Sequence, residues 1–220
     1  MIALLQWLNR HYHAADISEV INKHPGLRPR NVTATDEEKA KILSAAPPHV
    51  LLWMLLCSDL AIRSGTAARL TPDNYDRKSR TLRFTTKLGE KLTLPVTNEI
   101  AALFATCDHD RAESYVRQLQ RRWQPKGSPP LQDGADPVST LGRTYRILLR
   151  SLGITRKLTP HDFRRTTAVK LYSQTHDARD VQSLLGHRSL ASTIWYLDHD
   201  LNPVSRSMLE LLKRPQEAAA

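Results

Sequence analysis

The side chains best suited to chemistry lie in segment 159–200, TPHDFRRTTAVKLYSQTHDARDVQSLLGHRSLASTIWYLDHD. His161 and Arg164 are three residues apart, so a helix would place them on one face, about 5–6 Å from each other. His187 follows a glycine suited to ending a helix and would then lie on a turn, and Tyr196 comes nine residues later. Arginine binds phosphate oxygens, histidine transfers protons and tyrosine can be a nucleophile, so these residue types suit chemistry on a phosphate.

Each of these residues also has an ordinary structural interpretation when it is taken alone. An H-x-x-R pair occurs by chance on the solvated face of many basic helices. A single histidine on a turn, such as His187, is more often a surface residue than a catalyst. A tyrosine beside a tryptophan, as Tyr196 is beside Trp195, is commonly a core or interface aromatic. Only the combination of the four residues favours a catalytic site.

Composition narrows the class of protein and of partner. With 40% apolar and 25% charged residues, the chain is expected to be soluble and globular rather than disordered. Its net charge of +10 and pI of about 9.9 favour a polyanionic partner, with nucleic acid first and an anionic membrane second. A basic protein without such a partner remains the alternative.

Two further features bear on location. The longest apolar run, VLLWMLLC at Val50–Cys57, is far shorter than the roughly 20 residues that span a bilayer, so it predicts a buried helix. The first residues lack the basic leader and cleavage site of a signal peptide. Two cysteines, Cys57 and Cys107, give neither a disulfide framework nor a thiolate metal cluster. These features predict a reducing, cytoplasmic setting.

The elements that must position the candidate residues are mainly helical. Thr35 and Glu38 form a capping-box pattern that predicts the start of a helical domain. Thr81–Val96 alternates around a glycine-containing turn and predicts a β-hairpin. Gln124–Pro137 has the composition of a loop, and Val138–Arg214 indicates short helices. The predicted fold class is therefore mainly α with a small antiparallel β-sheet (α+β).

The set of candidate residues resembles the tyrosine recombinase (phage integrase) family. The C-terminal signature of that family is H-x-x-R, then L-G-H, then a tyrosine about nine residues beyond, matched here by His161, Arg164, His187 and Tyr196. The family also has an arginine that follows an apolar helix, and DLAIRSGTAARLTPDNYD offers Arg63. The resemblance covers roughly residues 33–214 and implies the fold of the tyrosine recombinase/integrase catalytic core.

The family places a lysine in a β-hairpin, where TTKLGEKLTLPV offers Lys87, with Lys91 across the turn as its rival. One position departs from the family pattern. A glutamate often follows the first arginine by three residues, and Thr66 stands there, so Arg63 is expected to be held differently. Arg165 and Arg188, outside the signature, remain open between phosphate contacts and solvated charges.

The resemblance implies a mechanism in which a tyrosine attacks a DNA phosphodiester and forms a 3′-phosphotyrosyl intermediate. The implied catalytic residues are Arg63, Lys87, His161, Arg164, His187 and Tyr196. Tyr196 is the nucleophile, and the two arginines neutralise the phosphate oxygens in place of a metal. His161 is the favoured base and Lys87 the general acid. No cofactor, metal or ATP is expected.

The resemblance also implies partners and domain limits. Residues 1–30 are expected to be the remnant or end of an N-terminal helical DNA-clamping domain plus a linker, residues 31–214 the catalytic domain and residues 215–220 a flexible tail. The expected partner is double-stranded DNA, bound by a homo-tetramer that exchanges C-terminal helices, with a monomer as the state off DNA. A cytoplasmic enzyme of bacterial or phage origin is expected.

Two other functions are open at this stage. Type IB topoisomerases share the arginines and the tyrosine, but they tend to have a lysine where His161 stands, which favours the recombinase. A non-catalytic DNA-binding relic would keep the fold and lose the chemistry. Formation of a covalent DNA adduct separates the relic from both enzymes.

Overall fold

The computed structural model of the chain describes residues 32–86, 89–124 and 136–197. Its helices, numbered here in chain order, are α1 Asp36–Ala45, α2 Pro48–Ser58, α3 Ser64–Ala67, α4 Asn98–Ala105, α5 Tyr115–Arg122, α6 Pro137–Ser151, α7 Pro160–Thr175, α8 Ala178–Leu185 and α9 Leu190–Leu197. The predicted elements in residues 1–30, the predicted helical pattern beyond residue 197, the tail 215–220 and Lys87 lie outside the described residues. The predicted fold class, mainly α with one small antiparallel sheet, is confirmed.

Helix α1 begins where the sequence predicts. Thr35 Oγ1 accepts a hydrogen bond from the Glu38 backbone N–H at 3.2 Å, and the Thr35 N–H donates to Glu38 Oε2 at 2.9 Å. This reciprocal pair satisfies two backbone donors that a helix N-terminus otherwise leaves without partners. The Glu38 carboxylate also pairs with Arg156. The N-terminus of α1 is thereby connected to the segment that precedes α7.

Helix α2 is the central core element. The predicted apolar run is buried on almost every side, with Leu52 and Leu56 fully inaccessible and Trp53 only 2% exposed. It packs against α5 and α7. Helix α2 therefore places the segment that follows it, which carries Arg63, beside the helix that carries Arg164.

A three-stranded antiparallel sheet contains the predicted hairpin. Strands β2 (Thr81–Thr85) and β3 (Lys91–Pro95) pair so that Leu82 faces Leu94. A short strand β1 (Tyr75–Asp76) pairs with the other edge of β2. The side chain of Leu82 is fully buried in the core, which fixes one face of the hairpin against the helices.

The three C-terminal helices pack around a second, smaller apolar cluster. Helix α7 starts at a capping box between Thr159 and Asp162, and α8 ends at Gly186, which has a left-handed φ of +57°. A Cβ at Gly186 would lie 2.9 Å from Thr86 Cγ2, closer than van der Waals contact allows. Glycine at this position therefore lets the β-hairpin approach the turn that carries His187.

None of the helices in the three described ranges is both long and apolar enough to cross a membrane.

Candidate active site

The structure brings together five of the six predicted site residues, from four separate segments. Arg63 lies at the N-terminus of α3, His161 and Arg164 lie in the first turns of α7, His187 is on the turn after α8, and Tyr196 is in α9. Each segment reaches the site because α2 and the second apolar cluster hold α3, α7, α8 and α9 in contact. The sixth residue, Lys87, falls in the undescribed turn of the hairpin.

Tyr196 is half-buried and surrounded by cationic or titratable side chains. Its hydroxyl oxygen lies 3.4 Å from Nδ1 of His161. The ring of His187 meets the tyrosine ring edge-on, with centroids 5.7 Å apart at 84°. The Arg165 guanidinium carbon lies over the ring, 5.4 Å from its centroid. The hydroxyl of Tyr196 thus has a histidine within reach to take its proton.

Arg164 is buried and anchored by backbone carbonyls. It is only 3% exposed, its Nη2 donates to the Leu185 carbonyl at 2.9 Å and its Nη1 donates to the Ala61 carbonyl. Burial lowers the pKa of Arg164 to about 10, with the positive charge of Arg63 adding to the effect and Tyr196 opposing it. A guanidinium with that pKa remains charged at neutral pH. The guanidinium also lies within hydrogen-bonding reach of the Tyr196 side chain.

Ala61, whose carbonyl accepts from Arg164, has an unusual backbone. Its φ is +50° and its side chain is fully buried. A left-handed conformation costs a non-glycine residue about 1–2 kcal/mol. The hydrogen bond to Arg164 and the packing of the Ala61 methyl group in the second apolar cluster help to hold this conformation.

The two histidines are biased towards their neutral forms. Partial burial lowers the pKa of His187 to about 4, reinforced by the nearby charges of Arg164 and Arg63. His161 keeps an accessible edge, but the loss of hydration around it and the charge of Arg164 lower its pKa as well. A neutral imidazole can accept a proton, so at neutral pH His161 is in the form that a general base requires.

His187 is held by hydrogen bonds at both its ring and its backbone. Its Nδ1 lies 3.0 Å from Oγ1 of Thr193, which is fully buried, and its carbonyl accepts from Gln182 Nε2 at 2.9 Å. These contacts fix the orientation of the ring, and because a hydroxyl can donate or accept, either neutral tautomer fits the bond to Thr193. Thr193 carries no signal in the sequence that marks it as part of the site, because a threonine in a helical pattern gives no sign of what it bonds.

An open cleft of about 550 Å³ adjoins the cluster. Arg63, Thr66 and His161 line one part of it, and Thr85 and Thr86, the last described residues before Lys87, line another. Thr66, at the position where the resemblance suggests glutamate, therefore faces the cleft. The open shape of the cleft suits an extended ligand that passes across Arg63.

The basic residues outside the signature differ in how far the structure buries them. Arg188 is exposed and pairs with Glu90 of the hairpin at 3.2 Å. Arg165 is only 4% exposed, so its interpretation as a solvated charge is wrong. Lys91 is exposed on β3, while Tyr172 packs in the second apolar cluster with its ring 6.3 Å from that of His176.

Neither cysteine has the surroundings of a reactive or ligating thiol. Both are buried and free of disulfides, and burial raises the pKa of Cys57 to about 12. Across the described ranges, no three histidine, cysteine or acidic side chains come together in a way that could hold a metal ion.

Comparison with known proteins gives consistent similarities. The sequence profile of the phage integrase family matches residues 32–202. Tyrosine recombinase XerC of Rhizobium meliloti (strain 1021) is 28% identical over 211 residues, which cover 90% of this chain and 61% of that relative. The chain therefore spans about three-fifths of the length of this curated relative.

Two solved structures share the fold. The XerA recombinase superposes over 98% of this chain and 76% of its own, with a TM-score of 0.58 and 21% identity. The XerH site-specific recombinase, solved with its palindromic difH substrate after cleavage, covers 83% of this chain and 54% of its own, with a TM-score of 0.52 and 18% identity.

Proposed function

The chain belongs to the phage integrase family, and we propose that it is a site-specific DNA recombinase that cleaves and rejoins strands through a 3′-phosphotyrosyl intermediate. The observation that carries this proposal is the position of the Tyr196 hydroxyl, 3.4 Å from His161 and beside the buried guanidinium of Arg164. A nucleophile, a proton acceptor and fixed positive charge are the parts that metal-free phosphoryl transfer needs.

In the proposed step, the oxygen of Tyr196 forms a bond to phosphorus while the bond from phosphorus to the 5′-oxygen breaks. The phenol proton passes to His161, and Lys87 donates a proton to the leaving 5′-oxygen. Arg63 and Arg164 bind the non-bridging oxygens and neutralise the charge that develops on them. His187, neutral and fixed by Thr193, donates a hydrogen bond to the phosphate.

The proposed reaction needs no external energy. The phosphotyrosyl bond replaces the broken phosphodiester, so the 5′-hydroxyl of another strand can reverse the step without ATP. Two arginines supply the charge that a divalent metal supplies elsewhere, and an arginine stays protonated at neutral pH. We therefore propose a reaction independent of metal and ATP.

Double-stranded DNA is the proposed substrate. The net charge of +10 supports a polyanionic partner, and the related XerH recombinase was solved on DNA. One face of α6 also presents Arg143, Arg146 and Arg150 to solvent around Ile147, which is 60% exposed. Arginines at this helical spacing form a basic ridge suited to a DNA groove or backbone.

We also retain the proposed domain limits, assembly and location. The family match over residues 32–202 supports a catalytic domain at 31–214. The remnant or end of a DNA-clamping domain plus linker at 1–30 and the flexible tail at 215–220 remain proposals. Exchange of C-terminal helices in a DNA-bound homo-tetramer, a monomer off DNA and a cytoplasmic location remain proposals.

The test is a search for a covalent adduct. In nicked random-sequence duplexes, cleavage just upstream of a nick releases a short fragment that carries the freed 5′-hydroxyl, and its loss traps the intermediate. We expect a protein–DNA adduct that survives denaturant and forms at an undiminished rate in excess EDTA. Cleavage that needs Mg²⁺ and leaves no adduct would point to a nuclease and overturn the proposal. Sequencing the trapped duplexes separates a recombinase, which selects sites, from a topoisomerase, which cleaves without strong preference.

The proposed role of Lys87 predicts a specific chemical rescue. Lys87→Ala should slow cleavage by about 10²–10⁴, the usual range for loss of a general acid. Substituting sulfur for the bridging 5′-oxygen should remove most of the defect, because a thiol has a pKa near 8.5 and leaves as a thiolate without a proton. Single-turnover cleavage rates of wild type and Lys87→Ala on the oxygen and the sulfur substrates give the defect of the variant on each.

Lys91→Ala is the matched control, since Lys91 is the exposed lysine at the start of β3. It should cleave both substrates at close to the wild-type rate. If sulfur rescues Lys91→Ala and leaves Lys87→Ala impaired, the general acid lies on the other side of the hairpin turn.

A further inference from the structure

Arg165 is a charged side chain in an unusual place. It follows the signature arginine on α7, yet it is 4% exposed, and charged side chains are rarely buried so completely. Its guanidinium carbon lies 5.4 Å from the centroid of the Tyr196 ring, over the face of that ring. A guanidinium over an aromatic face is attracted by the negative charge of the π system, most strongly where water is excluded.

The ring of Tyr196 is thus held from several directions. Arg165 lies over its face, His187 meets it edge-on, and His161 is tilted beside it with centroids 6.2 Å apart. Of these three, Arg165 carries the permanent charge, because both histidines favour the neutral form. Tyr196 of α9 therefore packs against the buried cationic side chain of Arg165 on α7.

We propose that Arg165 is a positioning residue for the nucleophile: its buried guanidinium holds the Tyr196 ring in the site and stabilises the negative charge that develops on the tyrosine oxygen. This inference rests on the proposed function. It assigns to Arg165 a task different from that of Arg164, which binds the phosphate. Arg165 acts on the attacking group through the ring and stays protonated throughout the step, while the phenol proton passes to His161.

The charges around Tyr196 are consistent with this division. Burial raises the pKa of Tyr196. The positive charges of Arg164 and Arg165 lower it, and the negative charge of Asp162 raises it. The titratable and charged groups that face the tyrosine are His161, Asp162, Arg164 and Arg165 from α7 and His187 from the turn after α8. Without Arg165, Arg164 would be the one arginine of α7 that lowers the pKa of Tyr196 against the effect of burial.

The direct test measures ionisation of Tyr196 without any DNA. Protein labelled with ¹³C at the tyrosine Cζ carbons gives six tyrosine signals, and Tyr196→Phe identifies the one that belongs to Tyr196. In Arg165→Met, which keeps an unbranched side chain and loses the charge, we expect this signal to titrate about one pH unit or more higher, the effect of one nearby cation. Arg165→Lys, which keeps the charge, should stay near the wild-type midpoint.

Arg179→Met is the matched control, because Arg179 is an exposed arginine on α8. Its Tyr196 signal should titrate as in wild type. If Arg165→Met fails to fold, as judged by circular dichroism, Arg165→Gln carries the same comparison. A Tyr196 midpoint that is unchanged in the folded, uncharged variant overturns the proposal.

Cleavage kinetics give the second readout. If Arg165 stabilises the developing phenolate, a Tyr196 midpoint that rises by about one pH unit in Arg165→Met should slow cleavage by up to about tenfold at neutral pH, and the defect should shrink only as the pH approaches the midpoint of wild-type Tyr196. A defect that keeps its size beyond that midpoint would mean that Arg165 only supports the fold, and would overturn the electrostatic role. A wild-type protein that forms no adduct would refute the proposed function, while the titration without DNA would still report on Arg165.

Discussion

Replacing Tyr196 with phenylalanine should abolish the covalent adduct and lower strand cleavage by at least about 10⁴-fold, the scale on which enzymes lose activity without their nucleophile. The change removes one oxygen from a half-buried ring. The packing against His187 and the contact with Arg165 remain, so the fold and DNA affinity should be nearly unchanged. Denaturing gels of trapped complexes measure the adduct, and a gel-shift titration measures binding.

Tyr172→Phe is the appropriate comparison for this experiment. Tyr172 lies on the same helix as His161, but its ring lies against that of His176, with centroids 6.3 Å apart, so adduct formation should continue at close to the wild-type rate. An adduct that persists in Tyr196→Phe and disappears in Tyr172→Phe would show that the nucleophile has been assigned to the wrong tyrosine.

Replacing Arg164 with lysine should reduce cleavage by about 10²–10³, the effect of losing one preorganised donor to a developing oxyanion. Lysine keeps the positive charge, but it lacks the planar fork that bonds the Ala61 and Leu185 carbonyls while presenting further N–H groups to a phosphate. The buried carbonyls would lose their donors, at a cost of about 1–3 kcal/mol each in stability. Urea unfolding measures that cost separately from single-turnover cleavage.

Two controls separate the chemical effect from the structural one. A methylphosphonate substrate lacks the negative charge on one non-bridging oxygen, so the defect of Arg164→Lys should become smaller on it. Arg156→Lys alters a surface pair with Glu38 and should leave cleavage close to wild type. A defect of equal size on both substrates would show that Arg164 supports the fold without stabilising charge on the phosphate.

Features that depend on neighbouring residues in the sequence could be predicted before the structure. The capping box at Thr35 and Glu38 and the hairpin at Thr81–Val96 are local patterns, and both predictions are confirmed. The spacing of His161 and Arg164 also depends only on helix geometry. The family resemblance added Arg63, which no local rule would have joined to a tyrosine more than a hundred residues away.

Features set by packing between distant segments could not be predicted. Strand β1 is two residues long and gains its structure only by pairing with β2. The left-handed conformation of Ala61 depends on a contact with α7, 103 residues further along the chain. The burial of Arg165 depends on where α9 docks, and a basic residue beside another basic residue gives no sign of it. The catalytic roles themselves remain predictions.

The wide sequence separation of the site has a consequence during synthesis of the chain. Arg63 leaves the ribosome early, Arg164 follows much later, and the helix with Tyr196 ends the described part of the structure. Arg164 cannot be anchored before its two carbonyl partners, one near the start and one near the end of the domain, are both in place. A nascent chain therefore holds its arginines and its tyrosine apart until the domain has closed, so under the proposed function we expect an unfinished chain to cleave no DNA.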